Sequence, residues 1–525
     1  MSAPSTRPEA ARGPRDDEPE RRRGRIAVPL AVGLLAFLGR LVPVLRGGGL
    51  FGRDTYDPFV YYSAAVSLWS GRLPYRDFLL LHPPGMLVAL LPFAGLGAVA
   101  GDPVGMAAAR VAIMATGAGS AVLIYLLLRP RGLAAAAIGA GLYAAWFPAF
   151  YTERDVRLEA VAGFLVLAGI LVVQRWHGPR RSLPPLLAGA LFGAAAMVKL
   201  WGVVGVLVLV AWLWWHHGPR RAVLAAAGAA LAAGQLLLPF ATVLPRFVQW
   251  SVIDQLGRTR SQDSVVNRLV DIVGLGPVPQ PAVLALLVVA LALVIVSLRI
   301  AFSDPEGRLQ GWLVLGGGAV LLAAPTWYPH YPALVAGPLC LVFGNAVAVL
   351  LSRLPRPGLR LVLASLAAGL VAAQILLLSQ SVGQRFPGRE LAAVLQPRPG
   401  CVTTDRPAAL VLSDMLRRNL ARDCPVVVDP LGYKFAAQRA GVAPEDDARR
   451  FNRFLTDYLG SGSSAVLVTV RPDDLGPENA ARIASWPVVG SAGRYLVRAP
   501  IPATPARAWE EVLDSIHPQT QARYP

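Results

Sequence analysis

Long apolar runs alternate with short polar breaks along the chain. Crossing a bilayer takes about 20 consecutive apolar residues in a helix. Runs of that order lie near 26–46, 104–128, 132–150, 158–174, 183–198, 201–215, 222–244, 281–299, 311–326, 331–351 and 360–379. The stretch 183–215 is too long for one helix, and Lys199 interrupts it, which predicts a tight hairpin. The stretch 83–99 is apolar but short and follows Pro83-Pro84, which predicts a re-entrant or interfacial helix. After residue 379 the pattern changes. Short β-rich runs at 401–404, 425–429, 465–470 and 494–497 alternate with helical periodicity at 407–420 and 444–459. The expected fold is an α-helical polytopic membrane protein of about eleven transmembrane helices (26–379), followed by a small extracytoplasmic α/β domain (380–525). Residues 1–25 make a cytoplasmic N-terminus, the first 20 of them polar, charged, Pro-rich and expected to be disordered.

Composition supports the bilayer. Of 525 residues, 54% are hydrophobic and 16% charged, where soluble domains carry roughly 25% charged residues. The net charge of +18 would point to nucleic acid in a soluble protein. Here no basic domain is long enough for that, and the arginines sit in short breaks between apolar runs. With the N-terminus in the cytoplasm, the inner breaks hold Arg129 and Arg131; Arg175, Arg180 and Arg181; Arg220 and Arg221; Arg299 and Arg308; Arg353, Arg356 and Arg360. That is the positive-inside pattern, expected of a multi-pass protein of the plasma (inner) membrane. It places loops 47–84, 151–157 and 245–280, and the C-terminal region, outside. Cys401 and Cys424 fall at the ends of two expected strands. In an oxidising compartment they predict a disulfide, worth about 3 kcal/mol in the chain-entropy model; the other arrangement is a pair of buried thiols.

Candidate chemistry gathers on that outer side. Asp54 and Asp57 follow the first span, where a carboxylate can deprotonate a hydroxyl or steady a developing cation. The loop Tyr151-Thr152-Glu153-Arg154-Asp155-Val156-Arg157-Leu158-Glu159 packs five charges into seven residues. Such groups either pair with one another, which contributes little at an exposed site, or serve a ligand. Lys199, one of two lysines in the chain, and Arg110, at the start of the second span, either snorkel to the interface or clamp a phosphate. His330 and Tyr331 lie in the turn Trp327-Tyr328-Pro329-His330-Tyr331-Pro332, either as part of an aromatic belt or as donors to a phosphate. No Gly-rich phosphate loop, zinc-spaced Cys/His cluster, Gly-x-Ser-x-Gly elbow or voltage-sensor arginine helix occurs.

Taken in order, these residues resemble a known family. The elements are Asp54 after the first span, Tyr61-Tyr62-Ser63-Ala64-Ala65, Gly71-Arg72-Leu73-Pro74-Tyr75-Arg76-Asp77-Phe78 and His82-Pro83-Pro84-Gly85. Further along come Ala108-Ala109-Arg110, Met197-Val198-Lys199, Asp254-Gln255-Leu256-Gly257-Arg258, and Tyr328-Pro329-His330-Tyr331 with Gly337-Pro338. This set is similar to the GT-C superfamily of polyprenyl-phosphate-sugar-dependent glycosyltransferases, near the protein O-mannosyltransferases and the lipid A aminoarabinose transferases. The likeness covers roughly 26–350. It departs where the family often has adjacent acids, here split as Asp54 and Asp57, and where relatives carry Lys-Pro-Pro in place of His82-Pro83-Pro84. The resemblance implies inverting transfer from a polyprenyl-phosphate sugar to a hydroxyl on a protein, glycolipid or cell-wall glycan. Asp54, or Asp57 beside it, would be the base. Lys199, Arg110 and His330 would hold the leaving phosphate, with His82 and Tyr331 in the substrate site. Glu153, Asp155 or Glu159 would position sugar or acceptor, and a divalent ion has room between the acidic loops. Two other classes fit the pattern: a lipid-sugar flippase, and a non-catalytic membrane scaffold.

Overall fold

The computed structural model describes residues 18–175, 182–258, 260–279, 281–353, 355–436, 444–468 and 475–501. Arg180, Arg181, the end of the expected strand 465–470 and the first 17 residues lie outside them. Each apolar run named above is helical over most of its length. The first ten helices are α1 (Glu18–Arg46), α2 (Asp57–Trp69), α3 (Gly85–Ala100), α4 (Asp102–Leu128), α5 (Leu133–Ala145), α6 (Phe147–Glu153), α7 (Leu158–Gln174), α8 (Leu183–Val198), α9 (Gly202–His217) and α10 (Pro219–Leu237). Long helices follow at Ala282–Ala301, Pro305–Ala323, Ala333–Arg353 and Arg356–Ser379.

Among the described residues, six helical stretches are long and apolar enough to cross a membrane, and the α5–α6 pair, bent by 57°, makes a seventh if it is one span. The shorter apolar helices α3, α7, α8 and α9 have 16 or 17 residues, about 25 Å at 1.5 Å per residue. Length alone therefore gives six or seven spans rather than eleven.

The bend between α5 and α6 has a local cause. Pro148 has no N–H and its ring clashes with the preceding turn, so α5 stops, Trp146 turns extended, and α6 restarts. The new direction carries Glu153, Arg154 and Asp155 into the interior, where all three are buried.

Two loop assignments need correction. The loop 47–84 contains α2, whose Asp57-Pro58 start supplies an acidic first turn and a pre-set φ. The periodicity was hidden because ten consecutive α2 residues, Pro58 to Ser67, are buried all round, which leaves no polar face to read. The loop 245–280 likewise holds short helices, among them Val265–Ile272 with Ser264 capping the Asn267 N–H.

The C-terminal region builds a four-stranded sheet in the order β1-β2-β4-β3, from β1 (Val402–Thr404), β2 (Ser464–Leu467), β3 (Val488–Ala492) and β4 (Tyr495–Arg498). β1 and β2 are parallel; β4 is antiparallel to both of its neighbours. The expected strand at 425–429 does not form. The position beside β1 is taken by the Asn419 amide, which accepts from the Val402 N–H (3.0 Å) and donates to the Val402 carbonyl (2.6 Å). With that edge satisfied by a side chain, Val427 and Val428 turn into the core instead. Cys401 and Cys424 are disulfide-bonded with Cα atoms 5.7 Å apart.

This sheet is not a separate body. One buried cluster runs from Tyr62, Met86 and Met106 into Leu391, Val411 and Val466. A second joins Leu79, Leu81 and Phe247 to Val428, Tyr433 and Phe454. Loop 47–84, the α6–α7 corner, the Lys199 turn, the turn at 328–332 and the C-terminal sheet thus occupy one end of the bundle. At the other end Arg131 pairs with Asp304 (2.6 Å) and Glu306 (3.2 Å).

Candidate functional site

The expected site residues separate into three groups. Glu153 belongs to the bundle interior. It accepts from Arg40 Nε (2.7 Å), Arg40 Nη2 and the Tyr143 hydroxyl, and both Arg40 and Glu153 are buried. Its oxygens are fully engaged, so it does not reach a substrate.

Asp54, Arg110 and Asp155 form a bracket at the edge. Arg110 donates to Asp155 through Nε (2.8 Å) and Nη2 (3.2 Å), and through Nη1 to the carbonyls of Leu50 and Gly52 (both 2.7 Å). That uses four of its five N–H groups and fixes the chain leaving α1, so Arg110 is not available as a phosphate clamp. Asp54 accepts from Arg154 Nε (3.1 Å) and Nη2 (2.9 Å), both on Oδ2. Asp54, Arg110, Arg154 and Asp155 line one small pocket with Arg53 and Gly383.

The third group converges on Asp57. His330 Nε2 lies 3.9 Å from Asp57 Oδ2 and 3.8 Å from Glu159 Oε1. Lys199 Nζ pairs with Glu159 and stands 4.1 Å from the Tyr331 ring centre and 4.4 Å from that of Trp201, a cage for a cation. His82 packs edge-on against Tyr61, centroids 5.7 Å apart. The sequence shows why Lys199 comes here. Gly85 starts α3 directly against the end of α8, where a Cβ would meet the Met197 carbonyl oxygen at 2.5 Å. The His-Pro-Pro-Gly motif thus seats the turn that carries Lys199.

Arg157, which the sequence offered only as one charge of the 151–159 loop, organises the group. It donates to Thr55 Oγ1 (3.0 Å), contacts His330 Nδ1 (2.7 Å) and lies over the Tyr151 ring (4.6 Å). A guanidinium only donates, so His330 Nδ1 accepts and its proton sits on Nε2, facing Asp57 and Glu159. Burial, with Arg157 and Lys199 adding to it, holds His330 well below its usual pKa; burial does the same to His82. Both rings are neutral, so His330 acts as a hydrogen-bond donor rather than as a phosphate-binding cation.

Arg258 is likewise legible only as the end of Asp254-Gln255-Leu256-Gly257-Arg258. It is buried, and its charge acts on Asp57, Lys199 and Tyr331. Among the described residues it has no carboxylate partner within ion-pair distance, its Nε lacks an acceptor, and it stacks over the Phe435 ring, 4.2 Å away. Burying an unpaired cation is expensive unless an anion comes to it.

Asp57 is the carboxylate that stays open. Protein surrounds it, yet 39% of its side-chain surface is accessible, so it lines a crevice. Burial pushes its pKa up, Arg157 and Lys199 oppose that, and Glu159 adds to it. Among the described residues no three His, Cys, Asp or Glu side chains converge to hold a metal ion; Asp54, Asp155 and Glu159 each face an arginine or lysine instead.

An unpaired carboxylate beside unpaired and caged cations fits a reaction that removes a proton and releases an anion. Residues 80–325 match the sequence profile of Glycosyltransferase family 87. The fold matches the crystal structure of ArnT from Cupriavidus metallidurans bound to undecaprenyl phosphate: TM-score 0.60, 17% identity, 91% of this chain and 98% of that one. It also matches the archaeal oligosaccharyltransferase AglB from Archaeoglobus fulgidus, in complex with an inhibitory peptide and a dolichol-phosphate: TM-score 0.57, 10% identity, 86% of this chain and 70% of that one. A direct comparison with curated protein sequences finds no match. The chain thus shares the fold of these solved structures, and residues 80–325 carry the pattern of Glycosyltransferase family 87.

Proposed function

We propose that the protein transfers a sugar from a polyprenyl-phosphate donor to an acceptor hydroxyl, with inversion, at the extracytoplasmic end of the bundle. The observation that carries this reading is Asp57: a partly accessible carboxylate with no arginine or lysine partner among the described residues, on which the charges of Arg157, Lys199 and Arg258 act. A scaffold would have its outer acids neutralised in ion pairs. Asp54, Asp155 and Glu159 are so paired, and Asp57 is not.

Asp57 takes the proton of the acceptor hydroxyl as the oxygen attacks the anomeric carbon. The bond from that carbon to the phosphate oxygen breaks, and the lipid phosphate leaves with the electron pair. Attack from the face opposite the leaving group inverts the centre. Asp57 is preferred to Asp54 as base because Arg154 donates twice to Asp54 Oδ2, while no arginine or lysine among the described residues pairs with Asp57. Arg258 and the free N–H groups of Lys199 neutralise the departing phosphate. The His330 Nε2–H orients Asp57. Positioning and charge stabilisation supply most of such a rate enhancement.

In this reading α5–α6, α7, α8, α9 and Pro305–Ala323 cross the membrane together with the six longer stretches, eleven spans in all. The arginine-rich end faces the cytoplasm of a plasma-membrane protein and the C-terminal sheet faces outward. The tilt of the short helices and local thinning accommodate their length.

The test is incubation of the purified protein with radiolabelled polyprenyl-phosphate sugars and a cell-envelope fraction. Transfer of label from one donor is expected; no consumption of any donor would overturn the reading.

A further inference from the structure

The last turn of the C-terminal region before residue 437 reaches the crevice. Asp429 Oδ1 accepts from the Tyr56 hydroxyl (2.9 Å) and the Gly432 N–H (2.8 Å), while the Leu431 N–H donates to the Tyr56 oxygen (3.0 Å). Tyr56 is the residue before Asp57, so this lattice ties the C-terminal region to the proposed base. Both donors use Oδ1. No donor among the described residues reaches Oδ2. Gly432 closes so tightly over the carboxylate that a Cβ there would stand 2.2 Å from Oδ2. Six residues beyond Asp429, Phe435 covers Arg258.

Asp429 is half-buried, and one of its oxygens lacks a donor among the described residues. The imbalance shows in its proton affinity: burial pushes Asp429 up to about 6, with Asp57 adding to the rise and Gly432, Tyr56 and Arg258 opposing it. Arg258 lies close enough to act on Asp429 yet makes no hydrogen bond to it. Two opposite charges that share a space without pairing leave one place for an anion and another for a hydroxyl.

We propose that Asp429 is a sugar-binding residue of the crevice, its Oδ2 accepting a hydrogen bond from a ring hydroxyl while Arg258 faces the phosphate. This rests on the transfer reading above and gives the C-terminal region a direct part in sugar recognition. The carboxylate accepts only, so it selects a sugar that presents a hydroxyl at that position.

Asp429→Asn is the informative change. The amide oxygen keeps the Tyr56 and Gly432 bonds, and an NH2 donor replaces the Oδ2 acceptor. Asp429→Ser serves the same purpose should the Asn variant fail to fold. Binding to the full-length protein is measured for three probes: undecaprenyl phosphate, the same lipid carrying mannose, glucose or arabinose, and an alkyl glycoside as acceptor mimic. We expect the bare lipid to bind within twofold of wild type and the preferred sugar-lipid at least about tenfold more weakly. Unchanged sugar-lipid affinity with weakened alkyl glycoside binding also supports the proposal and assigns the hydroxyl to the acceptor. Equal losses for bare and sugar-bearing lipid, or no change for any probe, overturn it. Wild-type protein that binds none of the three overturns the transfer reading itself.

Discussion

Asp54 and Asp57 are three residues apart and in different electrostatic worlds. Arg154 pairs with the first, and burial raises the proton affinity of the second. Because the base must be deprotonated to act, activity falls as pH drops through the raised Asp57 pKa. The acid limb of kcat/KM against pH is therefore expected above the ordinary carboxylate value of about 3.9. A limb at or below that value would argue against Asp57. Arg258 gives a second prediction at this scale. Its guanidinium has no acid to leave behind, so Arg258→Ala should weaken undecaprenyl phosphate binding by about tenfold or more without lowering the melting temperature. Lys199→Ala should lower both, because it strands the buried Glu159; the pair of variants, measured for lipid binding and thermal unfolding in detergent, separates the two roles.

At the scale of elements, polar groups and small residues hold apolar helices together. Arg40 of α1, Tyr143 of α5 and Glu153 of α6 join three helices through one buried carboxylate. Arg40→Leu alone should cost about 3–5 kcal/mol, since it leaves a buried charge uncompensated, while adding Glu153→Leu should recover much of the loss. Thermal unfolding of both variants checks this; equal stabilities would contradict it. Helices α8 and α10 lie almost backbone to backbone. A Cβ on Gly189 would meet the Ala225 carbonyl oxygen at 1.9 Å, and one on Gly193 the Ala229 oxygen at 2.5 Å. Gly189-x-x-x-Gly193 is a small-residue packing stripe, and Gly189→Leu should force the pair apart and lower the melting temperature. The apolar runs were readable from the chain because nothing but a helix satisfies its backbone in lipid. Helix α2 was not, because burial on every side erased its period. The strand expected at 425–429 failed for a tertiary reason, Asn419 standing in for a neighbouring strand.

On the scale of the whole molecule, one end of the bundle collects what the sequence scatters over almost 400 residues. The convergence of Asp57, Glu159, Lys199, His330 and Tyr331 could be guessed from their common side of the membrane. Their division of labour could not, since it depends on which arginine meets which acid: Arg110 takes Asp155, Arg154 takes Asp54, Arg40 takes Glu153. The resemblance implied Arg110 and His330 as phosphate-holding cations; the structure uses the first as a bracket, and burial lowers the proton affinity of the second. Arg258 and Asp429 escaped notice because neither belongs to a conspicuous charged cluster in the chain, and only folding brings them beside Asp57. The most direct measurement is transfer by Asp57→Asn, using the labelled donor that the wild-type protein consumes. The account predicts a fall of at least about a hundredfold, with folding and undecaprenyl phosphate binding retained. A near-wild-type rate from that variant would contradict it.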